Sequence, residues 1–224
     1  QMCIRDSSNT MENHQQKFQP DSQPVCVITG ASSGIGEALA VEYGKRAFSV
    51  ALLARRMDRL ADLKSRLDRD GVQAEVFMCD VNDEAQVQET FSKIKNHFGR
   101  IDVVIANAGI GGGPGTVERL SNERFERVFK TNIYGVLNTY RACLSALRET
   151  RGRFAILGSI MSYVSLGGSA PYAMSKFAVR ALADAIRLEI ASSGVSVTLV
   201  APGFVKSEIR HKNCKQEYDP NVKD

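Results

Sequence analysis

The chain has 224 residues, of which 43% are hydrophobic and 24% charged, and a formal net charge of +4. These values fit one soluble globular domain large enough to bury a core. So small a charge gives no reason to expect nucleic acid or an anionic membrane as a partner. No run approaches the roughly 18 consecutive apolar residues of a membrane-spanning helix, so we predict no membrane partner.

The chain begins with a polar segment, 1–24, that lacks the apolar centre of a secretory signal, and we expect it to be a disordered tail. From Val25 onward, short apolar runs alternate with longer amphipathic ones. Six runs have strand length and are rich in β-branched or other apolar residues, and continuous apolar runs without alternation are typical of strands buried on both faces of a parallel sheet. The predicted strands are 25–29, 49–53, 74–78, 103–106, 154–157 and 195–200.

Five further segments carry apolar residues at helical spacing. The predicted helices cover about 35–46, 58–69, 83–97, 122–149 and 172–192. Because strands and helices alternate, the crossovers should be right-handed and the helices should cover both faces of the sheet. We therefore predict an α/β fold, a Rossmann-type doubly wound parallel sheet, formed by one dinucleotide-binding and catalytic domain at 25–209.

The five cysteines and three histidines show no spacing that suggests a metal site or a disulfide framework. Cys26 and Cys79 stand in apolar, strand-like runs, where a cysteine most often acts as a small hydrophobic residue. We predict no metal and a reducing, cytoplasmic environment.

A glycine-rich turn, TGASSGIG at 29–36, follows the first predicted strand and leads into a helix. Glycines let the backbone approach a pyrophosphate, and the helix N-terminus presents N–H groups to it. The spacing differs from GxGxxG, and glycines alone would equally suit a turn that binds nothing. The position after the first strand favours a dinucleotide site, for which the candidates are Gly30, Ser32, Ser33, Gly34, Ile35 and Gly36.

The second predicted strand is followed by two arginines. Arg55 lies 19 residues after Gly36, where an acidic residue would hold the ribose 2′-OH of NAD. An arginine there offers a cationic fork to a 2′-phosphate instead. We therefore predict a preference for NADP(H), with NAD(H) as the alternative cofactor, and place Arg55, Arg56 and Ser32 near that phosphate. The alternative is that both arginines are solvated surface residues.

Tyr172 and Lys176 lie four residues apart on a predicted helix and hence on one face. A neighbouring cation favours the phenolate, so we expect Lys176 to move the pKa of Tyr172 toward neutral pH. A lone YxxxK pair arises often by chance. Here Ser159 follows the fifth strand, at the carboxyl edge where open α/β sheets bind ligands.

Taken together, these motifs resemble the short-chain dehydrogenase/reductase family over about 25–209. The matching set, in order, is TGASSGIG (29–36), Asp80-Val81, Asn107-Ala108-Gly109, Asn132, Ser159, Tyr172-x-x-x-Lys176 and Pro202-Gly203. The resemblance implies an NADP(H)-dependent oxidoreductase that transfers hydride between nicotinamide and a carbonyl or secondary alcohol.

The resemblance also implies the catalytic roles. Tyr172 would be the acid–base residue, Lys176 would tune it and bond the nicotinamide ribose, and Ser159 would hold the substrate oxygen. Asn132 would position a water in the proton relay, although the residue alone equally suits a helix interior.

The implied cofactor contacts are spread over three segments. Asp80 and the Val81 backbone would contact the adenine, although Asp80 equally suits a turn cap. A second segment would line the adenosine-side ribose and support the central strand: Asn107, Ala108 and Gly109. A third would form the wall near the nicotinamide and bind its carboxamide: Pro202, Gly203, Val205 and Ser207. Pro202-Gly203 alone is only a turn.

Three departures from the family pattern stand out. Ala106 replaces an asparagine and Ser207 replaces a threonine, which keeps the hydroxyl. Only 17 residues follow Ser207, and 210–224 is polar. We therefore expect a truncated chain with a polar C-terminal tail and without the family's last strand. Truncation suggests the alternative of a cofactor-binding member without activity, whereas an epimerase or dehydratase would need a sugar-nucleotide lobe that the sequence lacks.

Two loops should shape the substrate site. The glycine-rich 109–115 either borders substrate entry or is a plain connection. Loop 160–170 contains Met161, Tyr163, Val164 and Leu166, which indicate an apolar substrate unless they pack inward. The helices at 122–149 and 172–192 resemble the family's subunit interface, so we expect a homodimer or homotetramer; the alternative is that the sheet alone buries their apolar faces.

Overall fold

The structure, a computed structural model, describes residues 23–205. The two predicted tails, apart from Gln23 and Pro24, lie outside the described residues. Ser207 and the tail 210–224, in which we expected no further strand, also lie outside the described residues.

Six parallel strands form one sheet in the order β3-β2-β1-β4-β5-β6. Their bounds are β1 Val25–Thr29, β2 Ser49–Ala54, β3 Ala74–Met78, β4 Val103–Ala106, β5 Arg153–Leu157 and β6 Ser196–Val200. The strand order reverses between β1 and β4, so the loops leaving these strands run in opposite directions and open a crevice at the carboxyl edge of the sheet. The predicted Rossmann-type sheet is confirmed.

Helices cover both faces of the sheet, as predicted. Their bounds are α1 Gly34–Lys45, α2 Met57–Arg69, α3 Glu84–Phe98, α4 Asn122–Phe129, α5 Gly135–Thr150 and α6 Ala170–Glu189. On one face, Leu63 of α2 shares a core cluster with Ile28 of β1. On the other, Phe91 of α3, Leu147 of α5 and Val179 of α6 share a core cluster with β5. The two clusters together bury the central strands.

Burial differs between the centre and the edges of the sheet. Strands β1, β2 and β4 are buried along their whole length, as their continuous apolar runs predict. Strand β6 leaves Ser196, Thr198 and Val200 exposed, and β3 is mostly half-buried. The expectation that all six strands are buried on both faces is therefore wrong for β3 and β6, which within residues 23–205 each pair with one neighbouring strand only.

The long helix predicted at 122–149 is interrupted. A π-helical segment, Lys130–Tyr134, separates α4 from α5. It contains the buried Asn132, whose side chain bonds the loop after β4. Just after it, a Cβ on Gly135 would lie 2.7 Å from Val81. The contacts of Asn132 and Gly135 accompany one widened helical turn. The spacing of apolar residues in the sequence does not indicate this turn.

Three cysteines are free and buried: Cys26, Cys79 and Cys143. Burial raises the pKa of Cys79 to about 11, so its thiol stays protonated and packs as a small hydrophobic group. Within residues 23–205, no helix is long and apolar enough to cross a membrane.

Candidate active site

The turn after β1 is packed so closely that two of its positions leave no space for a Cβ atom. Gly30 has a φ of +67°, and a Cβ there would lie 2.8 Å from the Cα of Ala108. A Cβ on Gly36 would lie 2.4 Å from the carbonyl oxygen of Gly30. The turn therefore presents bare backbone and the N-terminus of α1 to the crevice, which is the cradle a pyrophosphate requires.

Asn107 ties this turn to the end of β4. Its side-chain amide donates hydrogen bonds to the carbonyl oxygens of Thr29 and Gly30, at 2.9 and 3.2 Å. The Thr29 hydroxyl accepts hydrogen bonds from the backbone N–H groups of Asn107 and Ala108, both at 3.1 Å. The two strands on either side of the crevice are thus fixed relative to each other.

The two arginines after β2 lie at one end of the crevice. The Arg56 guanidinium donates hydrogen bonds to the hydroxyls of Ser32 at 3.0 Å and Ser33 at 2.7 Å. Arg55 keeps 61% of its side chain exposed and lies 3.8 Å from the Asp80 carboxylate. Positive charge therefore stands directly beside the glycine turn.

Asp80 fits both of its sequence interpretations. One carboxylate oxygen accepts the backbone N–H of Asn82 at 3.0 Å, which caps the turn after β3. The other lies toward Arg55. The carbonyl oxygen of the neighbouring Val81 accepts a hydrogen bond from Asn138 at 2.9 Å. Asp80 and Val81 both line the crevice, so the turn cap leaves them accessible to a ligand there.

Ser159, Tyr172 and Lys176 converge at the other end of the crevice. Ser159 starts a short 3₁₀ turn, Ile160–Ser162, and its hydroxyl accepts the N–H of Met161 at 3.1 Å. Its side chain lies close enough to Tyr172 to lower the pKa of the phenol. The Lys176 ammonium lies 5.5 Å from the centre of the Tyr172 ring. A buried hydroxyl, a half-buried phenol and a buried amine are therefore held together in one cluster.

Burial governs the acid–base properties of this cluster. Desolvation lowers the pKa of Lys176 to about 8, although its ammonium donates a 2.6 Å hydrogen bond to the carbonyl oxygen of Leu157. Desolvation also raises the pKa of Tyr172, and the nearby Ser159 side chain lowers it in part. The expectation that Lys176 moves the Tyr172 pKa toward neutral pH is therefore wrong for this structure, in which Tyr172 is a half-buried phenol with a raised pKa.

Asn132 is buried and fully engaged with protein atoms. Its amide oxygen accepts the N–H of Ile110 at 2.8 Å, and its amide nitrogen donates to the carbonyl oxygen of Ile110 at 3.0 Å. The same nitrogen donates to the Ser175 hydroxyl at 3.0 Å, and Ser175 donates to the carbonyl oxygen of Tyr172 at 2.7 Å. Asn132 thus joins the loop after β4 to the first turns of α6.

Two serines that the sequence reasoning missed support these groups. Ser175, inside the YxxxK segment, relays Asn132 to Tyr172. The Ser162 hydroxyl accepts the N–H of Ser159 at 3.2 Å and completes a capping box. The second could have been found, because Ser–x–x–Ser after a strand resembles a capping-box sequence. The first could not, because its partner is 43 residues away.

The predicted residues surround one cavity of about 1020 Å³ at the carboxyl edge of the sheet. Of those in the described part of the chain, all line it except Gly36 and Asn132, which contact lining residues from behind. The glycine turn and arginines form one end, and Ser159, Tyr172 and Lys176 the other. Residues 23–205 bring no three His, Cys, Asp or Glu side chains together as a metal-binding group.

The two loops predicted to shape the substrate site border the end of the cavity formed by Ser159, Tyr172 and Lys176. Most of 109–115 lines the cavity, and the Gly115 N–H donates to the carbonyl oxygen of Gly168 at 3.1 Å. In the second loop, Met161 and Leu166 line the cavity. The Tyr163 ring instead lies under the Arg180 guanidinium, 4.3 Å away. The cavity wall is therefore partly apolar here, but only two of the four expected side chains form it.

The lowered pKa of the buried Lys176 predicts a measurable pH effect on stability. Between about pH 8 and 10.5 the unfolded lysine is protonated while the folded one is not, so stability rises with pH over this window. We therefore compare the free energies of unfolding of the wild type and of Lys176→Met. Their difference, wild type minus variant, should rise by roughly 3 kcal/mol over this pH window. Denaturant titrations at several pH values measure the difference. The exposed Lys93→Met, as control, should show no such slope.

Comparisons with known proteins agree with this geometry. The family model for short chain dehydrogenases matches residues 24–218. An uncharacterized oxidoreductase from Myxococcus xanthus is 33% identical over 193 residues, covering 86% of this chain and 76% of the relative.

Two solved structures are similar as well. An alcohol dehydrogenase from the archaeon Thermococcus sibiricus, complexed with 5-hydroxy-NADP, is 35% identical with a TM-score of 0.78, covering 81% of this chain and 77% of that one. Actinorhodin polyketide ketoreductase with NADPH is 31% identical with a TM-score of 0.79, covering 83% and 72%. The chain therefore belongs to the short-chain dehydrogenase/reductase family of oxidoreductases.

Proposed function

We propose that the chain is an NADP(H)-dependent oxidoreductase that interconverts a carbonyl compound and a secondary alcohol, with Tyr172 as the acid–base residue. The observation that carries the proposal is that the Ser159–Tyr172–Lys176 cluster and the glycine turn line the same cavity. Two similar proteins, an alcohol dehydrogenase and a ketoreductase, are described with NADP-type cofactors, which supports it.

The chain's own residues would bind and protonate the substrate. When bound, the nicotinamide would supply or accept the hydride. In reduction the Tyr172 hydroxyl gives its proton to the carbonyl oxygen, whose carbon gains the hydride, and the phenolate then regains a proton from solvent. The raised pKa of Tyr172 suits this role, because it keeps the donor protonated. Ser159, which lies beside Tyr172, would hold the same oxygen.

The supporting residues would position the cofactor. Lys176 would bond the nicotinamide ribose, and Pro202, Gly203 and Val205 would form the nearby wall. Asn132 would keep Tyr172 in place through Ser175, and the proposed water relay would start from this network. At the other end, residues already on the cavity wall would contact the adenosine half: Asp80, Val81, Asn107, Ala108 and Gly109.

The preference for NADP(H) would come from the cationic end of the cavity. Arg55 is half-exposed there, and Arg56 holds the two serine hydroxyls of the glycine turn in place. A 2′-phosphate of NADP(H) would accept hydrogen bonds from guanidinium and hydroxyl groups at this end of the cavity. NAD(H) has no 2′-phosphate and would not make these hydrogen bonds. We also propose a cytoplasmic homodimer or homotetramer, supported by exposed Met174, Phe177 and Leu188 on α6.

Cofactor titration with a substrate panel tests the function. Fluorescence titration should show tighter binding of NADPH than of NADH, and ketones and aldehydes should then cause loss of NADPH absorbance. Binding without turnover on every carbonyl compound would favour the alternative, a cofactor-binding member without activity. If neither cofactor binds, the proposal is wrong.

Charge reversal at Arg55 tests the cofactor preference. Arg55→Asp removes a cation from the predicted 2′-phosphate position and adds repulsion, so the NADPH-over-NADH affinity ratio should fall at least about tenfold. Titrations of both cofactors measure this ratio. Arg46→Asp, at the exposed end of α1 and away from the cavity, should leave it unchanged. An unchanged ratio in Arg55→Asp would mean that Arg55 is only a surface residue.

A further inference from the structure

Arg124 lies at the catalytic end of the cavity, and neither the cofactor nor the proton transfer uses it. It belongs to the first turn of α4 and lines the cavity. One nitrogen of its guanidinium donates a 3.3 Å hydrogen bond to the carbonyl oxygen of Pro114. This contact places Arg124 beside the glycine-rich loop, far along the chain from the arginines after β2.

Two contacts connect that loop to the segment carrying Tyr172. Gly115 donates its N–H to the carbonyl oxygen of Gly168 at 3.1 Å. A Cβ on Gly112 would lie 3.1 Å from Pro171, the residue before Tyr172. Arg124 therefore borders the space in which a substrate of Tyr172 must lie, and not the adenosine end.

The charges around the cavity make Arg124 distinctive. Among the described lining residues, the one carboxylate is Asp80, which lies at the opposite end beside Arg55. Lys176 is buried and bonded to Leu157. Arg124 forms no ion pair with a carboxylate of residues 23–205, and four of its five N–H donors have no hydrogen bond there. A half-exposed guanidinium thus stands at the substrate end with no carboxylate of residues 23–205 in ion-pair contact.

We propose that Arg124 binds a carboxylate of the carbonyl substrate, so that the preferred substrates are oxo acids in place of neutral ketones. This inference rests on the proposed reductase function. The planar guanidinium matches a carboxylate in a bidentate pair, and the low-dielectric walls of a cleft strengthen such a pair. Met161 and Leu166 on the same part of the wall would pack against the carbon chain between carboxylate and carbonyl.

Matched pairs of neutral and anionic substrates test the proposal. Straight-chain oxo acids such as 4-oxopentanoate, 5-oxohexanoate and 6-oxoheptanoate, each with its methyl ester, differ in charge but little in shape. For at least one chain length, the wild type should show a kcat/KM for the acid at least about tenfold above that for the ester. Arg124→Gln should remove this advantage and leave kcat/KM for the ester within about twofold, and Arg124→Lys should keep part of it.

The outcomes separate this proposal from the reductase function itself. If the esters are reduced but no acid is preferred, or if Arg124→Gln leaves the acid preference intact, the carboxylate proposal is overturned while the reductase stands. If Arg124→Gln lowers turnover of acid and ester equally, Arg124 acts by holding Pro114, and the proposal is again overturned. If no carbonyl compound of either kind is reduced, the proposed function itself fails.

Discussion

Tyr172→Phe is expected to lower kcat for carbonyl reduction at least about a hundredfold while NADPH affinity stays within about threefold of the wild type. The substitution removes only the hydroxyl, which is the proton donor of the proposed reaction. It leaves the ring, which packs 5.5 Å from the Lys176 ammonium, in place. Steady-state loss of NADPH absorbance measures the first quantity, and fluorescence titration the second.

A matched tyrosine elsewhere tests whether the effect belongs to the site. Tyr43 on α1 packs edge-on against Phe48 outside the cavity, so Tyr43→Phe should keep wild-type kcat. Should Tyr172→Phe retain more than about a tenth of wild-type kcat, a different group would have to protonate the carbonyl oxygen, and the buried Ser159 hydroxyl would be the first candidate.

The central part of the fold could be predicted because its signal is local. Strands β1 and β4 begin and end where their apolar runs do, since a strand buried on both faces needs an uninterrupted run. The cavity could be predicted for a related reason. In a doubly wound sheet, residues that directly follow the strands meet at one edge, so Gly30, Asn107 and Ser159 meet there although they are distant in sequence.

What could not be predicted depends on contacts between distant segments. The π-helical segment around Asn132 exists because that side chain satisfies the backbone of Ile110, and nothing near Asn132 in the sequence signals it. The pKa of Tyr172 was predicted in the wrong direction because spacing reports the nearby cation but not the depth of burial, and burial has the larger effect. Arg124 lies at the cavity because the loop 109–115 folds back beside α4, where Arg124 bonds the carbonyl oxygen of Pro114. The sequence around Arg124 does not indicate this contact.

Gly36→Ala is expected to lower NADPH affinity at least about tenfold and the free energy of unfolding by about 1–3 kcal/mol. The added methyl group would lie 2.4 Å from the carbonyl oxygen of Gly30 and 2.6 Å from the side-chain nitrogen of Asn107. On one side the methyl group meets backbone, and on the other it meets the Asn107 side-chain amide, which makes two hydrogen bonds to the turn. Neither can move aside unless the turn shifts away from the end of β4. Isothermal titration and denaturant unfolding measure the two effects.

The sign of the stability change identifies its cause. Gly36 lies in the first turn of α1 without a left-handed φ, so helix propensity alone would make alanine more stable by up to about 1 kcal/mol. Any loss must therefore come from the close approach of the turn to β4. Gly167→Ala adds the same methyl group where nothing lies within 4 Å, and it should keep both stability and NADPH affinity. If Gly36→Ala is as stable as the wild type and binds NADPH equally well, the turn does not need this approach, and the cradle would not be what holds the pyrophosphate.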